Sequence, residues 1–132
     1  MARPRTPHPT PSELEILKLL WERGPLTVRE VVEVEEADQK SRAYTSVMSL
    51  MNVMAEKGLV SREPEGRAFR YRPEVTREVT QTQLATDLWS RVYGGATSTL
   101  VAHLLEQSQP SEDELNAIRE LLARFERPEE AQ

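Results

Sequence analysis

At 132 residues, with no cysteine and a net charge of −5, the chain has room for one domain, or one small domain with an appendage. Lacking cysteine, it has no disulfide framework, thiolate metal site or cysteine nucleophile. No apolar run approaches the ~20 residues that span a bilayer, and the opening MARPRTPHPTP lacks the apolar core of a signal peptide. A cytoplasmic protein without a membrane partner is therefore expected.

The acidic balance is uneven. Residues 1–75 hold 12 basic and 12 acidic side chains, whereas residues 76–132 hold 5 and 10. Residues 40–72 carry 7 basic groups against 3 acidic ones, a local footprint of the kind that binds nucleic acid. The shift marks a boundary near residue 75.

In chain order, the prolines at 4, 7, 9 and 11 predict a disordered arm over residues 1–11. Ser12 with Glu15 forms a capping box for a first helix, whose apolar face is Leu14, Leu17, Leu20 and Trp21, and Gly24-Pro25 ends it. Thr27 and Glu30 repeat the box for a shorter helix that places Val28, Val31 and Val32 inward and stops near Glu36. Residues 37–40 read as a turn.

The third helix, Ser41 to Lys57 with Gly58 as its C′ residue, is the most informative stretch. At 100° per residue, Tyr44, Val47, Met48, Leu50, Met51, Met54 and Ala55 share one apolar side. Arg42, Thr45, Ser49, Asn52 and Glu56 form a stripe on the other side, with Ser46 and Val53 beside it. Short polar side chains let a backbone approach another surface closely, as a helix in a DNA major groove must. An ordinary surface helix is the alternative.

Beyond Gly58 the period shortens. Residues 59–62 read as a strand, Glu63-Pro64-Glu65-Gly66 as a turn and Arg67–Arg72 as the return strand. In the return strand Phe69 and Tyr71 face inward while Arg70 and Arg72 face out. A two-stranded hairpin is not stable alone, so it must lie on the preceding helices. Three helices and a basic hairpin make a winged helix; a small α+β domain merely solubilised by its arginines is the other reading.

The remainder is helical. Segments over 76–93, 97–107 and from Ser111, capped against Glu114, present Leu84, Leu88, Trp89, Val92, Leu100, Val101, Leu104, Leu105, Leu115, Ile118, Leu122 and Phe125. These segments are too few and too short to bury that set, and a second copy would cover it. Folding back on the winged helix is the alternative. The expected class is mainly α: a winged helix-turn-helix over 12–74, a three-helix dimerisation domain over 75–127 and a disordered tail at 128–132.

The run AYTSVMSLMNVMAEKGLV, followed by EGRAFRYRP, resembles the BlaI/MecI penicillinase-repressor family. The Ser12–Leu17 opening, Leu20-Trp21, Thr27-Val28, Trp89-Ser90-Arg91 and Tyr93-Gly94-Gly95 extend the resemblance along nearly the whole chain. It implies a homodimeric repressor of inverted-repeat operators with TACA/TGTA-type half-sites, often controlling β-lactamase or penicillin-binding-protein genes. Thr45, Ser46 and Ser49 match the family's groove-facing hydroxyl positions, Asn52 matches its common Asn, and Arg67 and Tyr71 match positions in its wing. Val53 stands where the family commonly has Arg, so a different operator is expected. Staphylococcal-type members are cut at an Asn-Phe bond through a membrane sensor-protease, and the corresponding bond here is His103-Leu104. Relatives that sense copper use cysteine clusters, which this chain lacks.

No enzyme is expected. His8 and His103 are the only histidines, no metal-ligand spacing occurs, and the five glycines occupy turn positions, so neither a metal nor a cofactor is implied. The expected function is a sequence-specific DNA-binding repressor acting as a homodimer, relieved by a proteolytic or other signal. Thr45, Ser46, Ser49 and Asn52 would touch base edges, with Val53 on the same DNA-facing side, where an apolar group can meet a thymine methyl. Arg42, Lys57, Arg62, Arg67, Arg70 and Tyr71 would engage phosphates or the adjacent groove. A regulator sensing a small molecule and a winged-helix protein-interaction module are the competing readings.

Overall fold

Two boxes of the form Thr/Ser-x-x-Glu overlap at the start of the first helix, and the earlier one forms it. In the computed structural model, which describes residues 8–40 and 42–126, Thr10 caps α1 (Pro11–Arg23). Its hydroxyl accepts from the Glu13 amide while its own N–H donates to the Glu13 carboxylate. Pro11 at the first helical position favours this register over the expected Ser12 cap. Residues 1–7 of the expected arm and the expected tail lie outside the described residues.

Leu26–Thr27 forms a two-residue strand, β1, and Thr27 then caps α2 (Val28–Ala37) by the expected box with Glu30. Helix α3 covers Tyr44–Lys57. It starts three residues later than expected, because Arg42 turns back onto the carboxylates of Glu35 and Glu15 instead of entering the helix. Ser41 lies outside the described residues. Gly58 ends α3 at φ +84°, the left-handed conformation that glycine adopts without a Cβ penalty.

The hairpin is longer and its turn tighter than expected. β2 runs Val60–Glu65 and β3 Ala68–Pro73, with Glu65 opposite Ala68. The turn is thus Gly66-Arg67, with Gly66 at φ +62°. Pro64 lies inside β2, where an edge strand tolerates its missing donor. The sheet has the order β1-β3-β2, so the return strand is central: Leu26 pairs with Tyr71 on one side and Arg62 with Tyr71 on the other.

Ile16, Leu17, Leu20, Val31, Val47, Met51, Met54, Leu59 and Tyr71 form the core beneath the sheet and the three helices. Each such burial contributes roughly 1.5–3 kcal/mol. Two carboxylates share this interior. Glu13 receives Lys57 Nζ at 2.9 Å, and Glu35 receives Arg42 in a bidentate pair.

α4 spans Arg77–Arg91, α5 Thr97–Ser108 and α6 Glu112–Phe125. Contacts divide the chain into two units, Met1–Thr86 and Asp87–Gln132, so the division falls within α4 rather than ahead of it. The start of α4 belongs to the first unit because Trp21 Nε1 donates to the Val75 carbonyl and Thr80 is buried. In the second unit Trp89 Nε1 donates to Thr97 Oγ1, and Ser111 caps α6 by accepting from the Glu114 amide.

Candidate nucleic-acid interface

α3 places its buried stripe, Val47, Met51 and Met54, against the core, which leaves its opposite face outward. Thr45, Ser46, Ser49 and Val53 are exposed there and, with half-buried Leu50, line one shallow concavity. Among the described residues the three hydroxyl side chains have no side-chain hydrogen-bond partner. Val53 is 41% exposed, so its isopropyl group is part of that outer surface.

A second concavity of about 210 Å³ lies between α3 and the hairpin. Tyr44, Met48 and Asn52 line it from the helix, and Arg62, Arg67 and Phe69 line it from the hairpin. Tyr44, Met48 and Phe69 are exposed here although their spacing predicts burial. The apolar arc of α3 is wider than the core can cover, and its edge forms a wall of this groove. Arg62 stacks at 4.8 Å over the Phe69 ring, the arrangement of a cation on a π face.

The basic candidates differ sharply in their engagements. Lys57 lies against buried Glu13, and Arg42 against buried Glu35. That carboxylate raises the Arg42 pKa, chiefly through its hydrogen bond. Arg70 holds Glu65 in a fork, also reaches Glu30 and donates to the Pro25 carbonyl. Its pKa is raised as a result, while Arg70 holds the Glu65 carboxyl below the usual range. Glu30 is also lowered, first by its hydrogen bond from the Thr27 backbone and then by Arg70. Arg67, at the exposed hairpin tip, makes no ion pair among the described residues.

Asn52 is half-buried in the wall of the second concavity, with its Oδ1 accepting from the Tyr71 hydroxyl at 2.8 Å and from Arg62 Nη1. Tyr71 is itself buried, so it meets the groove through this hydrogen bond. The structure thus brings together Thr45, Ser46, Ser49 and Val53 on one surface, and Asn52, Arg62, Arg67 and Tyr71 around the other. It turns Arg42, Lys57 and Arg70 toward carboxylates. The buried acids had a signal in the sequence: Glu13 stands at helical spacing with Leu17 and Leu20, and Glu35 with Val28 and Val31.

The expected cleavage bond, His103-Leu104, lies inside α5, where both residues are exposed and Tyr93 Oη lies 3.0 Å from His103 Nδ1. Of the expected dimerisation set, Leu84, Leu100, Leu105, Leu115 and Ile118 are half-buried. Leu88, Trp89, Val92, Val101, Leu104, Leu122 and Phe125 are exposed.

The family model described as penicillinase repressor matches residues 9–124. The chain belongs to the penicillinase repressor family. Within that repressor family it is 33% identical over 116 residues to the Transcriptional regulator BlaI of Mycobacterium tuberculosis, covering 86% of this chain and 82% of that protein. The Penicillinase repressor of Bacillus licheniformis is 24% identical over 118 residues, covering 89% and 91%. MecI, a methicillin resistance regulatory protein of Staphylococcus aureus, is 22% identical over 111 residues, covering 84% and 89%. A solution structure of the DNA-binding domain of the repressor BlaI superposes with a TM-score of 0.50 at 21% identity, over 57% of this chain and 90% of that one. That likeness shows the winged-helix fold. Among the described residues no helix is long and apolar enough to cross a membrane.

Proposed function

We propose that this chain is a sequence-specific DNA-binding repressor that acts in the cytoplasm as a homodimer on a palindromic operator. The observation that carries the reading is the outer face of α3, where Thr45, Ser46, Ser49 and Val53 stand exposed beside a hairpin whose tip cation, Arg67, makes no ion pair among the described residues. The hydroxyls suit base edges, which offer both donors and acceptors, and the Val53 methyls suit a thymine methyl. Arg67 and Arg62 supply charge for phosphates. The ion pairs of Arg42, Lys57 and Arg70 make them scaffold for this surface, and they drop out of the proposed DNA contacts.

The homodimer reading rests on the second unit, where neither α5 nor α6 has a buried residue. Two copies joined there would present two reading helices to two half-sites. Repression follows from occluding promoter DNA, and release by a sensor-protease would require α5 to unwind around His103-Leu104.

Footprinting of the purified protein on its own promoter region tests the reading. Two protected half-sites are expected, with affinity falling steeply as salt rises. Arg67→Ala is expected to weaken all sequences alike and to lower the magnitude of the salt slope by about one. Binding that ignores salt would rule the reading out.

A further inference from the structure

The three groups that meet at Asn52 come from three elements: Asn52 from α3, Arg62 from β2 and Tyr71 from β3. A guanidinium has donors and no acceptor, so the carboxamide atom that faces Arg62 is the oxygen. That oxygen has two lone pairs, and the Tyr71 hydroxyl and Arg62 Nη1 take both. Each donor is held from behind. Tyr71 is 2% exposed and sits in the central strand, and Arg62 is stacked on Phe69. Turning the carboxamide over would set its NH2 against a guanidinium, so the orientation is fixed. What Asn52 has left for the groove is its N–H donors.

An asparagine in the major groove ordinarily reads adenine in two halves: its oxygen accepts from N6 while its nitrogen donates to N7. An oxygen that already holds two donors cannot make the first half. We propose that Asn52 is a donor-only reader. Its carbonyl ties the wing to the reading helix, and its N–H groups select a base edge made of acceptors: thymine O4, guanine O6 or a purine N7. The inference rests on the DNA reading above and deepens it.

The test is a double-mutant cycle between residue 52 and single base atoms, with full-length protein on the footprinted operator. Each adenine is replaced in turn by purine, which lacks the N6 amino group. Each purine is replaced by its 7-deaza analogue, guanine by 2-aminopurine and thymine by 4-thiothymine. The wild-type chain is expected to lose roughly tenfold in affinity on loss of one acceptor, and Asn52→Ala is expected to be indifferent to that same replacement. Loss of any N6 amino group is expected to cost both proteins alike. Asn52→Asp keeps the acceptor for Tyr71 and Arg62 but has no N–H to give. It is expected to lose the same atom-specific discrimination while melting as the wild type does, which separates reading from folding.

A wild-type loss on N6 removal tenfold larger than that of Asn52→Ala would overturn donor-only reading. Equal losses by the two proteins at every base atom would overturn it as well. A wild-type chain with no salt-dependent binding to any fragment would remove the DNA reading itself, and it would show before any variant was compared.

Discussion

In α1, α2 and α3 each helix buries at least three side chains, and the three meet beneath a sheet. In α5 and α6 none is buried, although α6 repeats Leu115, Ile118, Leu122 and Phe125 with equal regularity. The same helical periodicity thus supports two different outcomes. In the first unit the apolar stripes face one another across a short chain and close on themselves. In the second they stay half-buried at best, as at Leu115 and Ile118, and open to solvent at Phe125, which is 78% exposed. Periodicity says which face is apolar; it does not say what covers that face.

The largest test of this contrast substitutes an apolar residue in each unit. Met51→Ala removes a fully buried side chain and is expected to cost about 2–5 kcal/mol in chemical denaturation. Leu122→Ala, measured on dilute protein, is expected to cost well under half of that. The pair Leu122→Asp and Phe125→Asp is expected to halve the mass seen by sedimentation without altering the first unit's fold. A Leu122→Ala loss as large as that of Met51→Ala in dilute protein would erase the contrast.

A second test concerns charge within the closed unit. Lys57→Met leaves Glu13, which is 2% exposed, without its partner. Stranding a buried carboxylate costs about 3–5 kcal/mol when the pair is fully enclosed. Lys57 is partly exposed, so water will reach the site and the low end, about 3 kcal/mol, is expected. Glu13→Gln together with Lys57→Met should restore much of the loss.

The smallest effect is one of pH. Glu30 and Glu65 titrate below the usual carboxylate range in the folded chain. Their contribution is therefore complete above that range and fades as pH falls through the lowered folded values. Amide protection factors in the hairpin, corrected for the intrinsic pH dependence of exchange, are expected to fall over that acid window, and Glu30→Gln is expected to blunt the change. A hairpin whose protection rises on acidification would reverse the sign.

Much of the winged unit was legible in the sequence because its signals are local. The box at Thr27, the glycine at 58 and the alternation through Tyr71 each depend on a few adjacent residues. What the sequence concealed depends on distant partners. β1 is two residues long, too short to alternate, and exists because β3 offers it an edge. Pro64 looks like a turn unless its strand is known to be an edge. The site shows the same limit. The exposed face of α3 follows from its angle around the helix, but the engagement of Lys57 follows from an acid forty-four residues away, and that of Arg42 and Arg70 from turns that fold them back onto Glu35 and Glu65. The position of Asn52 on the polar side of α3 was legible, whereas the engagement of its oxygen by Tyr71 and Arg62 required the wing to be placed.

The pairing of β1 with β3 also sets an order of events in time. Leu26 is joined to Tyr71, and the Pro25 carbonyl to Arg70, across forty-five residues. Closing so long a loop is slow compared with forming a helix. The three helices can therefore form while the chain is still being synthesised, but the sheet cannot close until Pro73 has left the ribosome. Asn52 waits for a nearer event: Arg62 lies ten residues beyond it and Tyr71 nineteen, so the hairpin docked on α3 brings both donors to its carboxamide. On the proposed DNA reading, the amide that discriminates between bases is thus set by the hairpin's docking rather than by the pairing of β1 with β3.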